Sequence, residues 1–199
     1  MNALIHIIRH GRTCANTNGL YCGSTDVSLS ETGIREILEY KEKGIYPGAE
    51  LFITSGLKRT VETLRLIYGD VGYIAVPGLR EYNFGEFEMH SHYELENRHE
   101  YQAWIADETG DVYCPCGESR TGFCERVGQG LNEALEVIER RKASSAAIIC
   151  HGGTIMAIMH ILFPDDRKYY EWQPGNGLGY TLQYTDGKFS GYRIIDPCK

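Results

Sequence analysis

The sequence predicts an α/β fold, and two observations carry that reading. Short β-branched apolar runs alternate with amphipathic stretches from the first residues to the last fifth of the chain, the order that builds a sheet flanked by helices. Four of those runs are largely apolar, interrupted by His6 and Thr54, as strands buried on both faces require. With 199 residues, 42% of them hydrophobic, the chain suits one compact domain that buries about 70% of its unfolded surface. No internal repeat, linker or low-complexity tract divides residues 1–199.

The elements follow in order. Leu4-Ile5-His6-Ile7-Ile8 reads as the first strand. Ser30 then caps a helix whose apolar positions are Ile34, Ile37 and Leu38, closing near Lys41. Leu51–Thr54 is the second strand, Leu57, Val61, Leu64 and Tyr68 mark the second helix, and Tyr73–Val76 is the third strand. From about residue 86 to 116 the pattern loosens and becomes rich in Glu, His and Tyr, which predicts a mostly helical insertion over one end of the sheet. Phe123, Val127, Leu131, Leu135 and Ile138 define a long helix ending in Arg140, Arg141 and Lys142, where cations are favoured. Ala146–Cys150 is the fourth strand, and Gly179–Tyr184 with Gly191–Ile195 form a hairpin around Asp186-Gly187. Gly175-Asn176-Gly177-Leu178-Gly179 has neither the context of a dinucleotide site nor the ending of a P-loop, so it reads as a turn before a strand.

Twenty Lys and Arg against 27 Asp and Glu, a formal charge of -7, argue against broad attraction to nucleic acid or an anionic membrane. A small anionic substrate would need a local basic cluster. The opening Met1-Asn2-Ala3-Leu4 lacks a signal peptide's features, and no later run is long enough to span a membrane, which predicts a cytoplasmic protein. Seven cysteines, an odd number at irregular spacing, argue for reduced thiols rather than a disulfide framework.

Polar groups recur just past the carboxyl ends of the predicted strands: Arg9-His10 after the first, Arg59 one helical turn after the second, Glu81 a short loop after the third, His151-Gly152-Gly153 after the fourth. Ligands of open α/β sheets bind outside those strand ends. Guanidinium groups suit the non-bridging oxygens of a phosphomonoester, which assigns Arg9 and Arg59 to binding. A histidine nitrogen can attack phosphorus in line, and His10 is the candidate nucleophile. His151, if protonated, would stabilise the transferring group, helped by the Gly152 and Gly153 amides. Glu81 is the candidate acid for the leaving oxygen and later the base for water. Each residue taken alone has a plainer reading. Arg59, for instance, lies off the apolar stripe of its helix and could pair with Glu62 in solvent.

The motifs Ile7-Ile8-Arg9-His10-Gly11-Arg12-Thr13 with Asn16 and Tyr21–Gly33, Thr54–Thr63, Leu79–Glu88 and Cys150-His151-Gly152-Gly153 appear in order along the chain. Together they resemble the blocks of the histidine phosphatase, or phosphoglycerate mutase-like, superfamily. The resemblance implies a three-layer α/β/α sandwich with a mostly parallel central sheet and a small helical insertion, a phosphate pocket of Arg9, His10, Arg59 and His151, and Glu81 as acid. It also implies substrate contacts from Asn16, Gly23, Ser24 and Gly152, and no metal or other cofactor. Phe84–Met89, Tyr101–Trp104 and Cys116–Ser119 are most similar to the α-ribazole phosphatase branch of cobalamin synthesis, with departures. Many relatives carry Gly at positions 89 and 116, Ala at 60 and Gln at 24, where this chain has Met89, Cys116, Thr60 and Ser24.

A mutase of the same superfamily is the nearest alternative; the short insertion and His-Gly-Gly favour hydrolysis. A non-catalytic phospholigand-binding protein is another. A third is a zinc protein using His90, His92, Cys114 and Cys116, whose one-residue spacings are tighter than usual zinc patterns.

Overall fold

The computed structural model describes residues 2–164 and 167–197, so Cys198 lies outside it. In chain order the elements are β1 (Asn2–Arg9), α1 (Cys14–Thr17), α2 (Glu31–Glu42), β2 (Leu51–Thr54), α3 (Lys58–Tyr68), β3 (Ile74–Ala75), α4 (His92–Leu95), α5 (His99–Ile105), α6 (Arg120–Arg141), β4 (Ser145–Cys150), α7 (Gly152–Leu162), β5 (Gly179–Thr185) and β6 (Lys188–Ile195). One sheet runs β3-β2-β4-β1-β5-β6. The first four of these are mutually parallel, and β5 and β6 are antiparallel additions.

The central strands have an apolar residue at nearly every position because each faces helices on both sides. Ile5, Ile7, Ile53 and Ile148 join Phe123, Val127 and Leu131 of α6 and Ile155 and Ile158 of α7 in one core. Ile8 and Ile149, one residue further along their strands, join Ile37 of α2 with Leu64 and Ile67 of α3 in a second core. Successive strand residues point to opposite faces, so the two cores are the two interfaces of an α/β/α sandwich. The hairpin closes at Asp186 (φ 49°) and Gly187 (φ 81°), two left-handed residues whose twist matches the paired strands.

Local chemistry sets the helix starts. Ser30 Oγ accepts the Gly33 N–H at the start of α2, and Ser119 Oγ accepts that of Gly122 at the start of α6. The stripe expected on α2 narrows to Ile37, while Ile34 and Leu38 are exposed. The reason is Gly33: a Cβ there would lie 2.1 Å from the Arg12 carbonyl oxygen, so the helix packs through its backbone at that point. On α3 the buried face is Arg59, Thr60, Thr63, Leu64 and Ile67; of the expected stripe Leu64, and Leu57 just before the helix, are buried, while Val61 and Tyr68 are half-buried. The third strand shrinks to Ile74–Ala75; the Val76 N–H still reaches the Thr54 carbonyl at 2.9 Å before the chain turns at Pro77.

The insertion differs more. Residues 86–116 are less than half helical, with α4 and α5 as short pieces joined by loops. Here side chains satisfy backbone donors that a helix would otherwise use: Asp107 accepts the N–H groups of Thr109 and Val112. Met89 (φ 60°) and Cys116 (φ 57°) are left-handed non-glycine residues. A side chain in that conformation costs about 1–2 kcal/mol. Among the described residues, no helix is long and apolar enough to cross a membrane.

Candidate active site

Strand register creates the site. In the parallel pair β1/β4, Arg9 lies opposite Cys150, so His10 and His151 leave the sheet side by side. Their rings pack edge to face, 5.1 Å between centroids. Thr54 lies opposite Ile149 in β2/β4, which brings Ser55 and the start of α3 to the same rim. Arg59 then reaches inward, 1% exposed. The solvated pair with Glu62 does not form, because Glu62 instead accepts the Leu29 N–H at 2.8 Å.

The tautomers follow from fixed donors. His10 Nδ1 lies 2.7 Å from the Gly11 carbonyl oxygen, which only accepts, so Nδ1 carries the proton and Nε2 keeps its lone pair. Burial, then the charges of Arg59 and Arg9, hold His10 well below its usual value of 6.5. At His151, Nδ1 accepts from Arg59 Nε at 3.3 Å, and Nε2 donates to Ser55 Oγ at 2.8 Å. Thr60 donates to the Leu57 carbonyl at 2.7 Å, so its oxygen is left to accept from Ser55 at 3.2 Å. That relay defines a neutral His151, and burial, followed by Arg59, His10 and Arg9, depresses its pKa well below 6.5. The sequence assigns His151 a stabilising role if protonated; burial first, and then the neighbouring guanidiniums, favour its neutral form here.

Both arginines are anchored with capacity to spare. Arg9 Nη1 donates to the Pro174 carbonyl at 2.8 Å, while its buried Nε finds no partner among the described residues. A buried donor of this kind is costly unless a ligand accepts from it. Arg59 Nη1 and Nη2 donate to the carbonyls of Thr25 and Gly23 at 2.9 and 2.7 Å, which leaves one N–H on each. Asn16 Oδ1 accepts the Thr13 N–H at 3.0 Å and an Asn176 amide proton at 3.3 Å, so its own amide protons remain to donate. Gly152 admits Arg9: a Cβ there would lie 3.1 Å from Arg9 Nε.

Three backbone amides near the pocket are held by side chains of the protein. The N–H groups of Gly23 and Ser24 donate to the Glu88 carboxylate at 3.0 and 2.8 Å, and that of Gly153 to Glu81 Oε2 at 2.8 Å. Backbone donors near the pocket therefore hold carboxyl groups of the protein. Glu81, whose Oε1 also accepts the Tyr82 N–H at 2.9 Å, stands at the amino end of α7. A Cβ at position 153 would sit 2.3 Å from Glu81 Oε1, so the second glycine makes room for the carboxylate.

Two features escaped the sequence reading. Glu88 ties the 23–25 loop to the insertion, and the Gly-rich turn supports His10 from behind. The Gly177 N–H reaches the Arg9 and His10 carbonyls at 3.0 and 3.2 Å, and Asn176 Nδ2 reaches the latter at 3.2 Å. Nothing in local spacing announces contacts across that separation. The zinc alternative finds no cluster: His90 Nδ1 bonds the Glu88 carbonyl, His92 Nδ1 the Tyr101 hydroxyl, and Cys114 is buried. Among the described residues no three His, Cys, Asp or Glu groups stand where they could share a metal ion.

The buried histidines carry a pH consequence. Both have folded pKa values below the unfolded 6.5, so below that pH the unfolded chain binds more protons than the folded one. Their contribution to stability is present above 6.5 and is lost as the pH falls. The thermal midpoint is expected to drop as pH falls from 6.5, more shallowly in His10→Gln. Equal slopes for the two proteins would contradict this.

The chain belongs to the histidine phosphatase superfamily, branch 1, whose family model matches residues 5–196. It is 34% identical over 195 residues to the adenosylcobalamin/alpha-ribazole phosphatase of Salmonella typhimurium, covering 96% of this chain and 94% of the relative. It is 29% identical over 181 residues to a 2,3-bisphosphoglycerate-dependent phosphoglycerate mutase of Cytophaga hutchinsonii, covering 86% and 84%. The alpha-ribazole phosphatase from Shigella flexneri superposes with a TM-score of 0.85 at 23% identity over 98% of this chain and 96% of that one, a likeness of fold.

Proposed function

We propose that the protein hydrolyses a small phosphomonoester through a phosphohistidine at His10 Nε2, in the cytoplasm, and that its leaving group is a planar aromatic nucleoside. The alpha-ribazole phosphatases among its relatives suggest α-ribazole 5′-phosphate. The observation that carries the aromatic leaving group is a cavity of ≈ 390 Å³ opening against Glu81 and Gly153, walled by Tyr21, Tyr82, Phe84, Trp104, Tyr169 and Tyr170.

In this reading Arg9, Arg59, Asn16 and the Gly152 N–H hold the non-bridging oxygens. Lone-pair attack by Nε2 forms the N–P bond as the P–O ester bond breaks, and Glu81 gives its proton to the departing oxygen. In the second half Glu81 takes a proton from water as the new O–P bond forms and the N–P bond breaks. Neutral His151 donates from Nε2 to Ser55 and meets the incoming dianion as a group able to gain a proton.

The same cavity speaks against a phosphoglycerate-sized leaving group. Its charged lining groups include Arg120 but also Asp107, which hydrogen bonds from Thr109 and Val112 hold as an anion, pKa about 2, so a substrate carboxylate gains little there. A base stacked on an aromatic side chain gains about 1–3 kcal/mol, or roughly 5- to 150-fold. Release of phosphate from α-ribazole 5′-phosphate is therefore expected to exceed that from 3-phosphoglycerate and ribose 5-phosphate by at least that factor in kcat/KM. Trp104→Ala should narrow the gap. A preference for 3-phosphoglycerate, with transfer to a second acceptor rather than to water, would establish the mutase instead.

A further inference from the structure

Glu81 lies on an irregular segment between β3 and the insertion, yet its backbone is held as tightly as a strand. All five N–H donors of one guanidinium are used there. Arg126 of α6 donates from Nη1 to the carbonyls of Gly78 and Arg80 at 2.9 and 3.1 Å, and from Nη2 to that of Glu81 at 3.1 Å. Its Nε and the second Nη2 proton form a fork on Glu118, at 2.6 and 2.9 Å. Glu118 grips the far side of the acid: Oε2 accepts the Asn83 N–H, its own N–H donates to the Asn83 carbonyl, and its carbonyl accepts the Tyr82 hydroxyl at 2.7 Å. One turn along α6, Gly130 lets the same segment close in. A Cβ on Gly78 would lie 2.7 Å from the Gly130 Cα.

We propose that the Arg126–Glu118 pair is the positioning device of the acid, a fork that fixes residues 78–83 so that the Glu81 carboxylate meets the leaving oxygen. The inference rests on Glu81 being the acid. The pair also couples the acid to the cavity wall, because Trp104 Nε1 donates to the Tyr82 oxygen at 3.1 Å. Lysine cannot replace the fork: a single ammonium cannot serve three carbonyls and a carboxylate in one plane.

A residue that merely stabilised the fold would slow all substrates alike. A positioning residue acts where Glu81 acts, on esters whose leaving oxygen needs a proton. Single-turnover phosphoenzyme formation is measured with glycerol 3-phosphate, an alkyl ester, and with 4-nitrophenyl phosphate, whose phenolate leaves unaided. Arg126→Lys is expected to slow the alkyl ester by about 10²-fold, the usual cost of an ångström of misplacement, and the nitrophenyl ester by less than about 3-fold. Glu118→Gln, which keeps the volume of the pair, should show the same selectivity. Arg126→Lys added to Glu81→Gln should cause no further loss with the alkyl ester, since the two act on one event. Equal slowing of both esters, or additive losses, would overturn the proposal. If Glu81→Gln alone proved unselective, the acid assignment would fall and the proposal with it; a selective Glu81→Gln beside an unselective Arg126→Lys would remove the proposal only.

Discussion

Replacing His10 with alanine is expected to lower kcat by about 10⁴-fold or more and to eliminate an acid-labile phosphoenzyme. Loss of a nucleophile removes the whole covalent route rather than one contribution to it. The geometry makes the expectation specific to this ring. Its Nδ1 proton is committed to the Gly11 carbonyl, and burial with two neighbouring guanidiniums keeps it unprotonated, so Nε2 is a lone pair at neutral pH. His151 cannot take over, since its Nε2 is tied to Ser55 and its Nδ1 accepts from Arg59. Affinity for inorganic phosphate should persist in His10→Ala, because the arginines that bind it are untouched. Rapid-quench labelling with a radioactive phosphoester and a phosphate-binding titration measure the two halves. Near wild-type turnover in the variant would show that another group attacks phosphorus.

Glu81→Gln is expected to slow phosphoenzyme formation from an alkyl phosphate by about 10²- to 10⁴-fold, the range of general acid catalysis. It should slow the nitrophenyl ester much less. Glutamine keeps the size of the side chain, and its single amide oxygen can still accept one of the two N–H groups, of Tyr82 or of Gly153, that place the carboxyl group. What it lacks is a transferable proton. Because the same carboxylate would activate water in the second step, the variant given nitrophenyl phosphate should show a burst and accumulate phosphohistidine. Equal slowing for both esters without accumulated intermediate would leave Glu81 as a substrate-positioning group. Neither Glu86 nor Glu88 is then a ready substitute. Glu88 is occupied by four N–H groups, those of Gly23, Ser24, Thr25 and Phe84, and Glu86 pairs with Arg98 on the surface at 2.8 Å.

The sequence by itself determined the α/β architecture and the positions of Arg9, His10, Arg59, Glu81 and His151. Those signals are local: a β-branched run is a buried strand whatever lies far away, and a polar residue just past it faces the rim where strands end. Even Ser30, the cap of α2, and the Asp186-Gly187 turn were legible, because a cap or a left-handed turn is decided by a few consecutive residues. Only the tertiary structure decided how each charge is held. It put Arg59 on the buried face of α3 against the helix's own apolar stripe, gave the Gly153 amide to Glu81 and those of Gly23 and Ser24 to Glu88, and made His151 neutral. It also set residues 175–177 behind His10 and Arg126 behind Glu81. The physical reason is common to all of these. A hydrogen bond in a dry pocket goes to whichever partner the packing of distant segments delivers, and a protonation state follows from the charges gathered there, neither of which local sequence spacing records.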